Sequence, residues 1–275
     1  MGTLFLVATP IGNLEDISAR ALKTLIASRL IAAEDTRHTR KLLNHFKIQT
    51  PLTSYHEHNK LTKLDYLLTI LAEGDIALVS DAGTPALNDP GYELVKAVLQ
   101  AGYPVSPIPG PSAPIAALVA SGLPTNNFLY LGYLPRKKGA RCNILAEIAE
   151  LAYTLVFLET PHRLLAALQD ILDVLGERQI AVARELTKIH EEIFRGSLSE
   201  ALAHFTAQAP RGEFTLIVAG KPITSEIWDE DKLESAIQDY KTKDMKASQI
   251  AAVLADQSGW PRREIYERIA QKKQQ

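Results

Sequence analysis

The sequence predicts an α/β protein: an open, mostly parallel sheet, then a second α/β domain with a mixed sheet, then a small helical element. Three observations carry this reading. Short apolar runs without polar alternation trade places with amphipathic segments through residue 120, the pattern of a sheet covered on both faces. Between residues 128 and 220 short strands follow one another more closely, as in a mixed sheet. Beyond "KPITSEIWDEDK" the chain turns polar and helical, with no strand pattern. The expected domains are 1–122, 123–222 and 223–275, with "GLPTNN" (122–127) as the hinge.

In chain order, "TLFLVA" (3–8), "RLIAAE" (29–34), "DIALVS" (75–80) and "YPVSPIP" (103–109) are the first-domain strands. Segments 17–28, 36–46, 59–74 and 92–102 carry apolar residues at helical spacing, and Gly74 and Gly102 are expected as left-handed helix ends. The second domain offers strands "FLYLGYL" (128–134), "YTLVFLE" (153–159), "QIAVARELT" (179–187), "EEIFRG" (191–196) and "EFTLIVAG" (213–220). Two helices are interleaved with them, "ARCNILAEIAEL" and "HRLLAALQDILDVLG". Three short helices close the chain, "DKLESAIQDY", "KASQIAAVLADQSG" and "PRREIYERIAQKK", with Gly259 in a turn and Pro261 at a helix start. Residues 248–269 resemble a helix-turn-helix with Arg262, Arg263 and Arg268 on its last helix, an auxiliary RNA-binding or substrate-docking element in which Arg262 and Arg263 meet RNA; a small structural bundle is the other reading.

Composition narrows the classes. A chain of 275 residues, 46% of them hydrophobic, has enough material for a substantial core. Net charge is −2, so any nucleic-acid footprint must be local. Cys142 is the single cysteine, which excludes an internal disulfide and any multi-cysteine zinc site, and a reducing cytoplasm is expected. No apolar run has bilayer length, and "MGTLFLVATPIGN" has no basic leader, so it reads as a first strand and neither a signal peptide nor a lipidation site. No His/Asp/Glu set has metal-ligand spacing, and no catalytic metal is expected.

In open α/β sheets ligands bind outside the carboxyl ends of the strands. Three such ends are rich in Gly and Pro: "ATPIGN", "SDAGTP" and "PIPGPSA". None is GxGxxG and no GxxxxGK[ST] occurs, so a pyrophosphate is not the expected ligand. Asp81 is placed to face a polar or cationic ligand, with Gly83 allowing close backbone approach; an Asx turn is its other reading. Ser112 has the form of an N-cap, and the N–H groups behind it either take its side chain or meet a ligand.

Nine segments then stand in a familiar order: "ATPIGNLEDIS", "AEDTRHTRKLL", "SYHEHN", "VSDAGTPALNDPG", "PIPGPSA", "GYLPRKKG", "FLETPHRL", "RELTKIHEEIFRG" and "GEFTLIV". Together, over residues 3 to 222, they resemble the ribosomal RNA-methylating group of the tetrapyrrole-methylase superfamily. The resemblance implies two α/β domains with S-adenosylmethionine in the cleft between them, and a homodimer. It also implies methyl transfer to the ribose 2′-oxygen of a cytidine in the decoding centre of bacterial 16S RNA. Carried over residue by residue, Pro10, Asp81, Ala82, Gly83, Ser112 and Ala113 are expected to line the cofactor cleft from the first domain. Leu158, Leu186 and Thr215 match its second-domain side. Ser80 ahead of Asp81 departs from the tetrapyrrole enzymes, which carry glycine before the acid.

Basic residues cluster in spite of the near-neutral total. "RKKGAR" holds Arg136, Lys137, Lys138 and Arg141, and "TRHTRKLLNHFK" holds Arg37, Arg40 and Lys41 with His38 and His45 nearby. Either loop can neutralise RNA phosphates; a solvated surface run is the bland alternative. A ribose hydroxyl benefits from a base or from stabilisation of the developing alkoxide. Asp35, His56, Glu185 and Lys188 are the candidates, though Asp35 also fits a helix cap, His56 a backbone contact, and Glu185 a pair with Arg184. Arg37, Arg184 and Arg195 fit RNA or dimer contacts better than proton transfer. Two rivals remain: a small-molecule tetrapyrrole methylase, and a nucleic-acid-binding regulator using the terminal helices.

Overall fold

The computed structural model describes residues 2–222, 228–242 and 245–271, in two compact units, Met1–Lys221 and Pro222–Gln275. Lys272 and Lys273 of the expected last helix lie outside the described residues, as does the segment 223–227 where the third domain was expected to begin.

The first unit opens with a five-stranded, wholly parallel sheet. Its strands are β1 (Leu4–Val7), β2 (Leu30–Ala33), β3 (Leu52–Ser54), β4 (Ile76–Val79) and β5 (Val105–Ile108), in the order β3-β2-β4-β1-β5. Helices α1 (Ala19–Ala27), α2 (Thr36–His45), α3 (Leu64–Glu73), α4 (Tyr92–Gln100) and α5 (Ala113–Ala120) connect or follow them. Both faces are buried, which is why the strands show no polar alternation. Ile76 and Leu78 of β4 pack with Leu67, Leu71, Leu94 and Val98, while Ala77 and Val79 face Ala21, Leu25 and Leu43.

A second sheet, in the order β6-β7-β10-β8-β9, is mixed. Strands β6 (Phe128–Tyr133) and β7 (Thr154–Glu159) pair in parallel. Strands β8 (Gln179–Arg184), β9 (Glu192–Ser197) and β10 (Phe214–Val218) add antiparallel ladders. Its larger side chains, Phe157, Val182, Leu216 and Phe214 among them, pack with α6 (Lys138–Glu147), α7 (Leu164–Leu175) and α8 (Leu198–Ala207). The opposite face carries Val156, Ala181, Ala183 and Ile217, and Ala117 and Leu118 of α5 close on it. That contact joins the two sheets.

The structure departs from the sequence expectations at several points. Gly74 has φ 172, extended backbone that any residue adopts, whereas Gly102 is left-handed at φ 78. Helix α3 starts at Leu64 because residues 57–63 form turns. Strand β3 is a three-residue edge, too short to leave a pattern. Helix α8 was not expected, although its reciprocal cap is written in "SLSE": the Glu200 N–H donates to Ser197 Oγ at 3.2 Å and the Ser197 N–H to Glu200 Oε2 at 2.8 Å.

The second unit is a bundle of α9 (Glu230–Lys241), α10 (Ala247–Ser258) and α11 (Arg262–Gln271) with its own core of Leu233, Ile237, Ile250, Leu254, Ile265 and Ile269. Gly259 ends α10 at φ 69. The bundle's arginines are engaged internally: Arg268 lies 4.6 Å from the Trp260 ring and 2.7 Å from Glu230, and Arg263 pairs with Glu267 at 2.8 Å. Arg262 donates to the Ser248 carbonyl at 3.4 Å.

Candidate active site

The loops that leave β1, β4 and β5 at the carboxyl edge are bonded to one another. Thr9 and Gly83 exchange backbone hydrogen bonds of 2.9 and 3.0 Å, and the Thr84 hydroxyl donates to the Pro111 carbonyl at 3.2 Å. Gly83 has φ +79, a left-handed conformation that favours a residue without a side chain. Asp81 makes no Asx turn. Its Oδ1 accepts the Asp35 N–H at 3.0 Å and so ties the β4 loop to the start of α2.

Two chambers open beside these loops. The first, about 250 Å³, is lined from the first sheet by Glu34, Asp81, Ala82, Gly83, Asp89, Ser112 and Ala113, and from the second by Tyr130, Tyr133, Leu158, Leu186, Glu213 and Thr215, among others. Register explains the second wall: Thr215 stands opposite Leu158 on one side and Ala183 on the other, a single row across three strands. Tyr130 and Tyr133 differ in strand parity and would face opposite ways on a regular strand. A bulge between Tyr130 and Gly132 resets the parity and turns both to the cleft.

Every charged residue lining this chamber is a carboxylate: Glu34, Asp81, Asp89 and Glu213. Burial raises the Glu34 carboxyl above its ordinary range, and the Asp89 and Asp81 charges add to the effect. Asp89 is also raised, by burial and then by Asp81, against a hydrogen bond from Ser80. The Tyr130 hydroxyl, pushed up to about 12 by burial, is buried without a hydrogen-bond partner. Ser112 stands at the N-cap of α5 but makes no side-chain capping bond; Pro114 has no N–H and the Ala116 N–H bonds the Ser112 carbonyl at 2.9 Å, so Ala113 and Ile115 carry the uncapped N–H groups, and Ala113 lines the chamber.

The second chamber, about 580 Å³, shares Ile11, Asp81, Ala82 and Glu213 with the first and adds Thr9, Pro10, His38, Lys41, Ser80 and Lys188 to its walls. Lys188 sits on a tight loop held by several bonds. Its Nζ pairs with Glu185 at 2.9 Å and Glu213 at 2.8 Å, and the Thr187 N–H donates to Glu191 Oε2 at 2.6 Å. The Asn13 N–H reaches across from the first sheet to Thr187 Oγ1 at 3.0 Å. Glu185 and Thr187 both take left-handed conformations, φ 49 and 65, so the loop is strained as well as latched. Burial works to lower the Lys188 pKa, but hydrogen bonds to Glu213 and Glu185 outweigh it and hold it above the ordinary value. Lys188 is therefore a cation at neutral pH and not a resting base.

Of the nine residues expected at the cofactor, eight line the first chamber, and Pro10 lines the second. The four candidates for proton chemistry separate. Asp35 caps α2, accepting the Arg37 N–H at 2.8 Å, and the hydrogen bonds from Arg37 hold its carboxyl well below the usual range. His56 lies outside both chamber linings, just after β3; its backbone N–H donates to Asn59 Oδ1 at 2.8 Å, and its ring Nδ1 is buried without a partner. Glu185 pairs with Lys188, not with Arg184, which bonds Glu192 at 3.2 Å and the Arg211 carbonyl at 2.8 Å. Only Lys188 reaches a chamber wall.

Among the expected RNA contacts, Arg141 is contradicted. It is 5% exposed, its Nε and Nη2 both donate to Asp170, the first at 2.7 Å, and its Nη1 donates to the Pro135 and Arg136 carbonyls. A guanidinium buried with a matched carboxylate and two carbonyls is a structural clamp at the start of α6, unable to meet a phosphate. Arg136, Lys137 and Lys138 are exposed, Lys138 with Asp170 at 3.2 Å; Arg37, Arg40 and Lys41 lie exposed along α2. Arg195 donates to the Ala120 carbonyl at the end of α5, a contact within the fold. Sequence reasoning missed Glu34, Asp89, Tyr130, Tyr133 and Glu213. Glu34 was readable by the rule that found Asp81, since it too is an acid closing an apolar run. The tyrosines were not, because their placement depends on the bulge.

An open sheet with a carboxylate-walled cleft at its carboxyl edge, joined to a mixed sheet, defines the class. The chain belongs to the tetrapyrrole (corrin/porphyrin) methylase family, whose model matches residues 3–202. It is 49% identical over 270 residues to the ribosomal RNA small subunit methyltransferase I of Synechocystis sp., covering 97% of both chains. The protein of that name from Thermotoga maritima is 48% identical over 222 residues, 80% of this chain and all of that one. Among solved structures, the uroporphyrin-III C-methyltransferase of Thermus thermophilus complexed with S-adenosylhomocysteine shares the fold. Its TM-score is 0.55 at 20% identity, over 78% of this chain and 97% of that one.

Proposed function

We propose that the protein transfers the methyl group of S-adenosylmethionine to the ribose 2′-oxygen of a cytidine in the decoding centre of bacterial 16S RNA. The observation that carries this reading is the first chamber, whose charged lining is wholly carboxylate. Such walls suit a cationic sulfonium and repel a nucleotide phosphate. The unpartnered Tyr130 hydroxyl and the free N–H groups behind Ser112 offer donors for a ligand's polar groups. The names of the curated relatives support the RNA substrate, and the small ribosomal subunit is the expected partner.

In this reading residues 1–122 and 123–222 act as two domains that close on the donor, with 223–275 appended. The protein works in the cytoplasm as a homodimer. Asp81, Ala82, Gly83, Ser112 and Ala113 hold the donor from one side, and Leu158, Leu186 and Thr215 from the other; Pro10 borders the acceptor. When bound, S-adenosylmethionine supplies a methyl on a positively charged sulfur. Asp81 and Glu213, on the wall between the chambers, would orient the ribose hydroxyl toward that methyl and accept its hydrogen bond. Lys188, charged and fixed by Glu185 and Glu213, stabilises the oxygen as it becomes anionic. Positioning supplies most of the rest.

Incubation with labelled S-adenosylmethionine and purified 30S subunits tests the reading. Label is expected in the 16S RNA. Label absent from RNA, with transfer to a tetrapyrrole intermediate instead, would reject it in favour of the small-molecule methylase.

A further inference from the structure

We propose that the second chamber seats the nucleotide that receives the methyl group, with a phosphate held by His38 and Lys41 of α2 and its ribose hydroxyl facing Lys188 opposite. The inference rests on the RNA-methylation reading and extends it to the acceptor's own site.

Three observations converge. Charge is divided between the chambers: the charged lining of the first is all carboxylate, whereas His38, Lys41 and Lys188 all border the second. Asp81 and Glu213, the second chamber's acids, belong to the wall shared with the first, and Lys188 pairs with Glu213 at 2.8 Å, so the basic side chains that stand clear of that wall are those of α2. A cationic donor and an anionic acceptor are thereby sorted before they meet. Second, the chambers adjoin through Ile11, Asp81, Ala82 and Glu213, which puts a group seated in one against a group seated in the other. At about 580 Å³ the second chamber falls within the range of small-ligand sites.

The third observation is α2 itself. From Thr36 to His45 it holds Arg37, His38, Arg40 and Lys41 and no acid. Lys41 borders both the chamber and an outer groove that also contains Arg37 and Arg40, so the basic strip runs from inside the chamber out along the helix. A strip that continues beyond the chamber fits a polymer with a charge on every unit better than a compact polycarboxylate. The hydrogen bond from the Asp35 N–H to Asp81 fixes the start of this helix to the donor's wall, which sets the register between phosphate contacts and the reacting oxygen.

The test is steady-state methylation of 30S subunits by the full-length protein and its His38→Ala/Lys41→Ala double variant, with S-adenosylmethionine affinity measured separately by calorimetry. Both side chains are exposed, so the helix keeps its packing. The KM for subunits is expected to rise about tenfold or more, and the dependence of log KM on log salt to become shallower by about one to two contacts. Affinity for S-adenosylmethionine is expected to stay within about twofold. An unchanged KM and salt slope would overturn the proposal, as would a parallel loss of donor affinity. Photocrosslinking of 16S RNA to the wild type gives a second measure: adducts on residues 36–41 and 188 support the seat, and adducts confined to 136–138 or 247–271 reject it. If wild type labels no RNA, the underlying reading falls along with the seat. If wild type labels RNA and the double variant matches it, the seat alone falls.

Discussion

Four carboxylates share one small chamber, and packing them together costs electrostatic free energy that a bound cation relieves. Burial raises Glu34 and Asp89, so both take up protons at a higher pH than exposed acids do. The sign follows. As pH falls from neutrality through the raised values of Glu34 and Asp89 the chamber loses negative charge, and affinity for S-adenosylmethionine should fall. S-adenosylhomocysteine, without the sulfonium charge, should lose less; calorimetry across that range checks this, and equal losses for the two would contradict it. Folding linkage runs the other way: the folded state holds these protons more tightly, so the ligand-free protein gains stability as pH falls toward the raised pKa values. Arg141 gives a second prediction at this scale. Its replacement by Ala leaves Asp170 without its buried partner and should cost about 3–5 kcal/mol in denaturant unfolding. If Arg141→Ala instead weakened RNA binding at full stability, the clamp assignment would be wrong. At single residues the sequence is legible where the cue is local, as with Asp81 at the end of its run. It is silent on Arg141, because only the fold brings Asp170 to it from 29 positions away.

At the scale of elements, the loop from Glu185 to Glu191 holds Lys188, the cation on which the proposed chemistry leans. Gly12 is where the β1 loop meets it: a Cβ there would stand 2.5 Å from Lys188 Cγ and 2.7 Å from Thr187 Oγ1. Gly12→Ala must therefore displace the latch. Since a displacement of an ångström near reacting atoms costs on the order of a hundredfold in rate, kcat should fall steeply. Stopped-flow or quench measurements of the methyl-transfer step check this, and a wild-type rate would show that Lys188 has no part in it. Most elements were legible because their apolar period is intrinsic to the segment, as in α1, α4 and all the long strands. Strand β3 was not, since three residues at an edge carry no period. Nor was the bulge in β6, whose extra residue is defined only against the partner strand. Helix α8 was legible through its capping box and was overlooked between two strands.

For the whole molecule, the chain divides after Lys221, and both units have their own buried cores. The Thermotoga relative aligns in full with 80% of this chain, the share that residues 1–221 make up. Truncation after Lys221 should accordingly leave S-adenosylmethionine affinity and kcat within about twofold. Because both chambers are lined by residues 9–215 alone, KM for 30S subunits should also change by less than about threefold. A large rise in KM on truncation would make the bundle a docking element after all. The central claim, that the cleft methylates a ribose oxygen of 16S RNA, is tested most directly by nucleoside mass spectrometry of RNA from cells lacking this protein. One 2′-O-methylcytidine is expected to disappear, to return with the wild-type protein, and not to return with the Asp81→Ala variant. An unchanged 2′-O-methylcytidine content in the deletion strain would contradict it.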